Sequence, residues 1–161
     1  MNEKERYLQT WENEFQTTLK VIRAYPADKL DLKPHEKSRS ARDLIWTFMM
    51  EEKIMEQVIQ GEIKFAPFPP APQTLQELLS AYEDSHKDLY EKMKKLAEAE
   101  FSKTVKFPVG PQKMADLPRI QIFWFILMDM IHHSGQFSVY LRMAGGKVPS
   151  IYGPSADEPW M

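Results

Sequence analysis

Cysteine is absent from the 161 residues. Its absence excludes thiolate metal ligands, a thiol nucleophile and disulfides, and it fits a reducing cytoplasm, which is the expected location. Long hydrophobic runs are missing as well. The longest, Ile120 to Met128, is interrupted by Gln121 and is far too short to cross a bilayer, so no membrane partner is expected. The opening segment MNEKERYLQTW is too charged for a signal peptide. Charge of one sign does not accumulate: 21 Lys and Arg face 23 Asp and Glu, for a net charge of −2. The single lysine cluster, Lys92 to Lys95, lies in a helical pattern of alternating sign and reads as a solvated face. No basic tail is present, so nucleic acid is not an expected partner. No G-x-S-x-G elbow occurs, and no glycine-rich phosphate loop: Gly145 and Gly146 follow a helical pattern rather than opening one.

What the chain does contain is helix. With 43% hydrophobic and 27% charged residues, it reads as one soluble globular domain over residues 1–161. Four amphipathic patterns stand out. The first runs from Glu3 to Tyr25, with Leu8, Trp11, Phe15, Leu19 and Ile22 at three- and four-residue steps, and Pro26 ends it. The second spans Ala41 to Gln60, between a capping Ser40 and a C-terminal Gly61. The third starts at Thr74, where Glu77 completes a capping box. His86 sits near its apolar stripe and reads as a buried, hydrogen-bonded or edge histidine rather than a ligand. The fourth runs from Leu117 to Ala144, capped by Asp116 and with Pro118 tolerated in its first turn. The stiff FAPFPPAP stretch precedes the third helix. Residues Phe101 to Ala115 read as a long loop with a short extended piece at Thr104 to Phe107. The expectation is an all-α four-helix bundle, with long second and third connections that suit a crossover topology. The non-periodic tail from Lys147 is expected to dock by burying Ile151, Tyr152 and Trp160. It could also form one wall of a pocket.

The chemistry concentrates in DMIHHSGQFSVY. Asp129, His133, Gln136 and Tyr140 fall at i, i+4, i+7 and i+11, on one side of a helix. The surrounding sequence is apolar, where ionisable groups require partners. Glu52 lies near the middle of the second helix's apolar stripe and Glu51 on its edge. Two readings stand open. In one, Asp129, His133 and Glu51 hold a divalent metal (Zn, Ni, Mn or Fe), with Glu52 as acid or general base and Gln136 and Tyr140 positioning a small-molecule substrate. In the other, Asp129 accepts from His133, and Gln136 and Tyr140 extend a hydrogen-bonded network without metal. The four Trp, nine Phe and ten Met are a large apolar stock for a chain of this size, and a homodimer is expected.

The segment IHHSGQFSVYLRMAGGKVPSIYGPSADEP resembles the last helix and tail of the DinB/YfiT-like superfamily, and SARDLIWTFMMEE resembles the start of that family's second helix. The resemblance covers the whole chain in helix order. It implies a four-helix bundle, usually dimeric, with a divalent metal held near the second and fourth helices. The usual ligands are one histidine on the second and an HxxxH pair on the fourth. It further implies activation of a low-molecular-weight thiol by that metal, for transfer to an electrophile. Two positions depart from the pattern. Asp129 stands at the first histidine of the pair, whose second is His133, and Thr47 stands at the second-helix histidine. Glu51, one turn beyond Thr47, is the available replacement. The implied activity is therefore a metal-dependent transferase or hydrolase with an altered site; the alternative is a non-catalytic bundle that binds a small ligand or partner.

Overall fold

The structure, a computed structural model, describes residues 1–161. It is mostly helical, with one small sheet. Helix α1 spans Glu3–Arg23. Asn2 accepts from the Glu5 amide while the Glu5 carboxylate accepts from the Asn2 amide, which satisfies two of the orphan donors at the helix start. Helix α2 spans Ala41–Gln60 as the sequence predicts. Ser40 caps it, and Gly61, at φ 91°, ends it with its amide donating to the carbonyls of Gln57 and Val58. Helix α3 spans Leu75–Lys95 behind the Thr74–Glu77 capping box, and α4 is a single turn at Glu98–Phe101. Helix α5 spans Arg119–Met143.

The expectation of a purely helical chain is not met. Thr104–Gly110 (β1) and Lys113–Pro118 (β2) form an antiparallel hairpin, irregular at Pro108 to Gly110, whose turn places Gln112 at φ 57°. Val105 and Phe107 point inward from β1 and join the core. Asp116 consequently belongs to a strand and does not cap α5, which begins directly after Pro118 with no side-chain cap. Arg119 anchors that start instead. It is buried, and its guanidinium donates to the Glu100 carboxylate at 2.8 Å and to the Glu100 carbonyl.

The four long helices share one core. Each of α1 and α2 packs against both α3 and α5, so α1 and α2 face each other across the core instead of lying side by side. Tyr7 of α1 reaches over this gap to the sulfur of Met55 on α2. Trp11, Tyr7, Tyr82, Phe48, Phe123 and Phe137 are the largest side chains fully removed from water. Helix α5 is apolar on nearly every side. Its inner face is buried, yet Phe125, Met128, Val139 and Met143 remain exposed.

The tail docks differently from the expectation. Pro149 is buried and Ile151 half-buried, but Tyr152 and Trp160 are each 65% exposed. Polar contacts hold the segment: Arg142 to Asp157 at 2.6 Å, Lys20 to Glu158 at 3.0 Å, and the Tyr152 hydroxyl to Glu14. Two of these anchors lie on α1, which draws the tail away from the cleft described next, and no tail residue lines that cleft.

Candidate metal centre

Two faces of α2 carry acids, and they look in different directions. Glu51 points to α5, where its Oε1 lies 2.9 Å from Nδ1 of His133. Asp129, one turn before His133, completes a trio whose ligand atoms all lie within 4.8 Å of one another. The i, i+4 spacing on α5 makes this convergence possible, since it places both side chains over the same turn. Glu51 is buried and its second oxygen, Oε2, has no hydrogen-bond partner. A buried carboxylate oxygen without a donor is costly; Glu52 carries one too, so what fits the Glu51 site for a cation is the convergence of three donors.

The electrostatics agree with the geometry. Burial pushes the Glu51 carboxyl up to about 7, with Asp129 adding to the rise and His133 opposing it. His133 is held above the usual imidazole range, chiefly by its hydrogen bond to Glu51, with burial opposing. Both directions mean that the trio retains a proton near neutrality, where two isolated carboxylates and an imidazole would hold less. A divalent cation can replace that proton. Two carboxylate oxygens and one imidazole nitrogen suit Zn, Mn, Fe or Ni, with positions left open.

Outward from His133 lies a cleft of about 460 Å³ lined by Pro34, Ser38, Arg39, Leu44, His133, Gln136, Val139 and Tyr140. Gln136 and Tyr140 line it as their spacing suggests, but they do not extend a network from His133. Nε2 of Gln136 lies 2.8 Å from Nε2 of His132, and the Tyr140 hydroxyl donates to the Arg39 carbonyl at 2.9 Å. His133 bonds Glu51 and not Asp129, so the metal-free network expected from spacing has different members. Thr47 is buried and fully engaged: its Oγ1 accepts from the Arg39 guanidinium at 2.9 Å and donates to the Asp43 carbonyl at 2.9 Å.

Glu52 does not join the trio, which corrects its assignment as acid or base there. Consecutive helical residues point about 100° apart, and Glu52 accordingly turns towards α3. Its Oε1 lies 2.7 Å from Nδ1 of His86, whose Nε2 lies 3.1 Å from Glu12 on α1. His86 is therefore the buried, hydrogen-bonded histidine that its place in the stripe suggests. Phe15 stacks on its ring at 3.6 Å and Trp11 lies 4.4 Å away. Two residues went unnoticed in the sequence, Glu12 and Arg39. Glu12 follows Trp11 in the α1 stripe and gives no pattern of its own. Arg39 sits in the connection before the Ser40 cap, and no spacing rule marks it.

A mostly helical chain with a carboxylate–imidazole trio between its second and last long helices defines a recognisable class. Residues 1–160 match the family model of the DinB family, and the chain belongs to that family. It is similar to the uncharacterized protein YrdA of Bacillus subtilis (strain 168), at 23% identity over 158 residues that span 96% of this chain and 90% of YrdA. Among solved structures it resembles a DinB-like protein from Bacillus cereus ATCC 10987, with a TM-score of 0.79 at 18% identity over 92% of this chain and 97% of the other. It also resembles the DinB-like protein YjoA of Bacillus subtilis, with a TM-score of 0.68 at 16% identity over 88% and 94%. These likenesses carry the fold.

Proposed function

We propose that the chain is a four-helix-bundle metalloprotein that binds a divalent cation through Glu51, Asp129 and His133 and acts on a small molecule as a transferase or hydrolase. The observation that carries this reading is the convergence of ligand atoms from Glu51, Asp129 and His133 within 4.8 Å of one another, at a buried Glu51 whose Oε2 has no hydrogen-bond partner. A bound cation would supply Lewis acidity, polarising a substrate atom or lowering the pKa of a coordinated water or thiol. The chain's own contribution is positional. Glu51, from the buried face of α2, gives the site rigidity; Asp129 and His133 set it at the foot of the cleft. Gln136 offers an amide to a substrate there, while Tyr140 shapes the cleft by holding the Arg39 carbonyl. The exposed Phe125, Met128 and Met143 of α5 support a homodimer formed through that helix.

The test is metal content and thermal shift of untagged protein. The expected result is close to one equivalent of Zn, Mn, Fe or Ni, and a melting temperature raised by added metal in the wild type but not in His133→Ala. Less than about a tenth of an equivalent, with no shift on addition, would refute the reading. A second reading, a non-catalytic small-ligand bundle, is favoured by the Arg39–Thr47 bond, which engages the position where the family carries a histidine. It predicts that His133→Ala costs about 1–3 kcal/mol equally with and without chelator.

A further inference from the structure

We infer that the cleft beside the metal centre is built for a monoanionic carboxylate, received by Arg39, with a short apolar arm lying along Pro34, Leu44 and Val139. The inference rests on the cleft's assignment above as the substrate site and supplies its substrate class.

The first observation is that Arg39, an exposed residue lining the cleft, is anchored through its guanidinium yet pairs with no carboxylate. Arg23, Arg42, Arg119 and Arg142 each pair with a carboxylate, at 2.7, 2.7, 2.8 and 2.6 Å. Arg6 and Arg39 form no ion pair, and of the two Arg39 is the one that lines the cleft. Its guanidinium has one anchor, the 2.9 Å bond from Nη1 to Thr47, and its main chain has another, the Tyr140 hydroxyl on its carbonyl. Both anchors come from helices, so the side chain is fixed at both ends with most of its five N–H donors unspent. A guanidinium arranged in this way offers a fork that matches a carboxylate's two oxygens. Pre-ordering of the side chain lowers the entropy lost when the ligand arrives.

The second observation is the character of the cleft itself. At about 460 Å³ it accommodates a small molecule, and its lining divides into a polar half, Ser38, Arg39, His133 and Gln136, and an apolar half, Pro34, Leu44 and Val139. Arg39 and His133 line the same cleft. An anion on Arg39 would thus extend towards the trio without displacing it. One cation matches one negative charge. A phosphate dianion would face the Glu51 and Asp129 carboxylates with a single arginine and no glycine-rich backbone cradle to offset its second charge.

The experiment uses the 161-residue chain kept in chelator, so that a carboxylate cannot bind through metal and a failure here is distinct from a failure of the metal reading. 3-Phenylpropionate is titrated with detection by amide and guanidinium shifts in 1H–15N spectra, alongside its methyl ester and phenyl phosphate. The expected result is a saturable shift of the Arg39 Nε–H and the amides of Ser38, Gln136 and Tyr140 with the acid, weakened by added salt, and little response to the ester. Arg39→Gln should weaken binding about tenfold or more, as loss of a charged hydrogen-bond pair implies. Thr47→Val, which keeps the charge and removes its anchor, should weaken it less. Equal affinity for acid and ester, tighter binding of phenyl phosphate than of the acid, or unchanged affinity in Arg39→Gln with loss in His133→Ala would each overturn the proposal. The shift pattern in the wild type decides the matter even where a variant folds poorly: saturation elsewhere on the molecule refutes the assignment.

Discussion

Glu51 and Glu52 are consecutive in sequence, both buried, and each bonded to a histidine, yet the two centres differ in their further donors and in their exposure. The Glu52 centre is closed. His86 is 3% exposed, both its ring nitrogens meet carboxylates, and aromatic rings from α1 cover it. The Glu51 centre is open. It adds a third donor, Asp129, and gives onto a cleft through His133, whereas an unpartnered carboxylate oxygen is common to both acids. An acid–histidine pair is therefore not diagnostic of a ligand site. What separates the two is a third convergent donor together with a less deeply buried imidazole.

The sharpest way to break this comparison is to remove His86. In His86→Ala the Glu52 carboxylate stays buried without its partner, and stability should fall by about 3–5 kcal/mol, as for a broken buried pair. For a domain of this size the melting temperature should drop by about 10 °C or more. Denaturant titration, with and without chelator, reads the loss, which should not depend on metal. A loss under about 1 kcal/mol would mean that Glu52 rests there as a neutral acid and that His86 is not its counter-ion.

Metal addition gives the next largest effect. At a free concentration near 100 times its Kd, a cation bound by the open centre should stabilise the folded state by about 2.7 kcal/mol. The same increment should appear in His86→Ala and vanish in Asp129→Asn. An increment that survives Asp129→Asn but disappears in His86→Ala would reverse the roles assigned to the two centres.

The dependence on pH sharpens the comparison further. The folded-state pKa of Glu51, about 7, lies above its ordinary value of 4.5, so the folded protein holds a proton that the unfolded chain has released. The associated stability is fully present below about 4.5 and is lost as the pH rises through about 7. In chelator, the difference between wild type and Glu51→Gln should therefore change by about 1–3 kcal/mol across that window, with the wild type losing ground at the alkaline end. A difference that stays constant from pH 4.5 to 8 would show that the site does not hold its proton. The smallest effect belongs to the exposed pairs of the tail. Lys20→Ala, which removes the bond to Glu158, should leave the denaturant midpoint almost unchanged. A clear fall would mean that the tail supports α1 more than its exposure suggests.

The helices were legible because their ends carry explicit chemistry. Ser40 and Gly61 bound α2, and Thr74 with Glu77 opens α3, as the sequence indicates. Of the hairpin only the extended piece at Thr104 to Phe107 was legible, for reasons visible in its residues. Pro108 interrupts the β1 run, and the turn uses Gln112 at positive φ where glycine or asparagine would have signalled it. The trio of Glu51, Asp129 and His133 was readable from helical spacing together with the resemblance to the DinB/YfiT-like superfamily. Glu52 was misassigned because a stripe reports that a residue faces inward, not which neighbouring helix it meets. Arg39 lay outside any periodic pattern, and only the packing of a connection against Thr47 and Tyr140 brings it to the cleft.

The parallel stack of Phe15 on His86, with the rings 3° from coplanar, has a spectroscopic consequence. Protons held over the face of an aromatic ring resonate upfield of their usual position. Of the four histidines, His86 is the one sandwiched in this way, whereas His133 meets Phe48 edge-on at 6.4 Å. The imidazole signals of the two centres should therefore separate in a proton spectrum without labelling. Ligand or metal titrations can then be followed at His133 with the shielded His86 resonance as an internal standard within the same molecule.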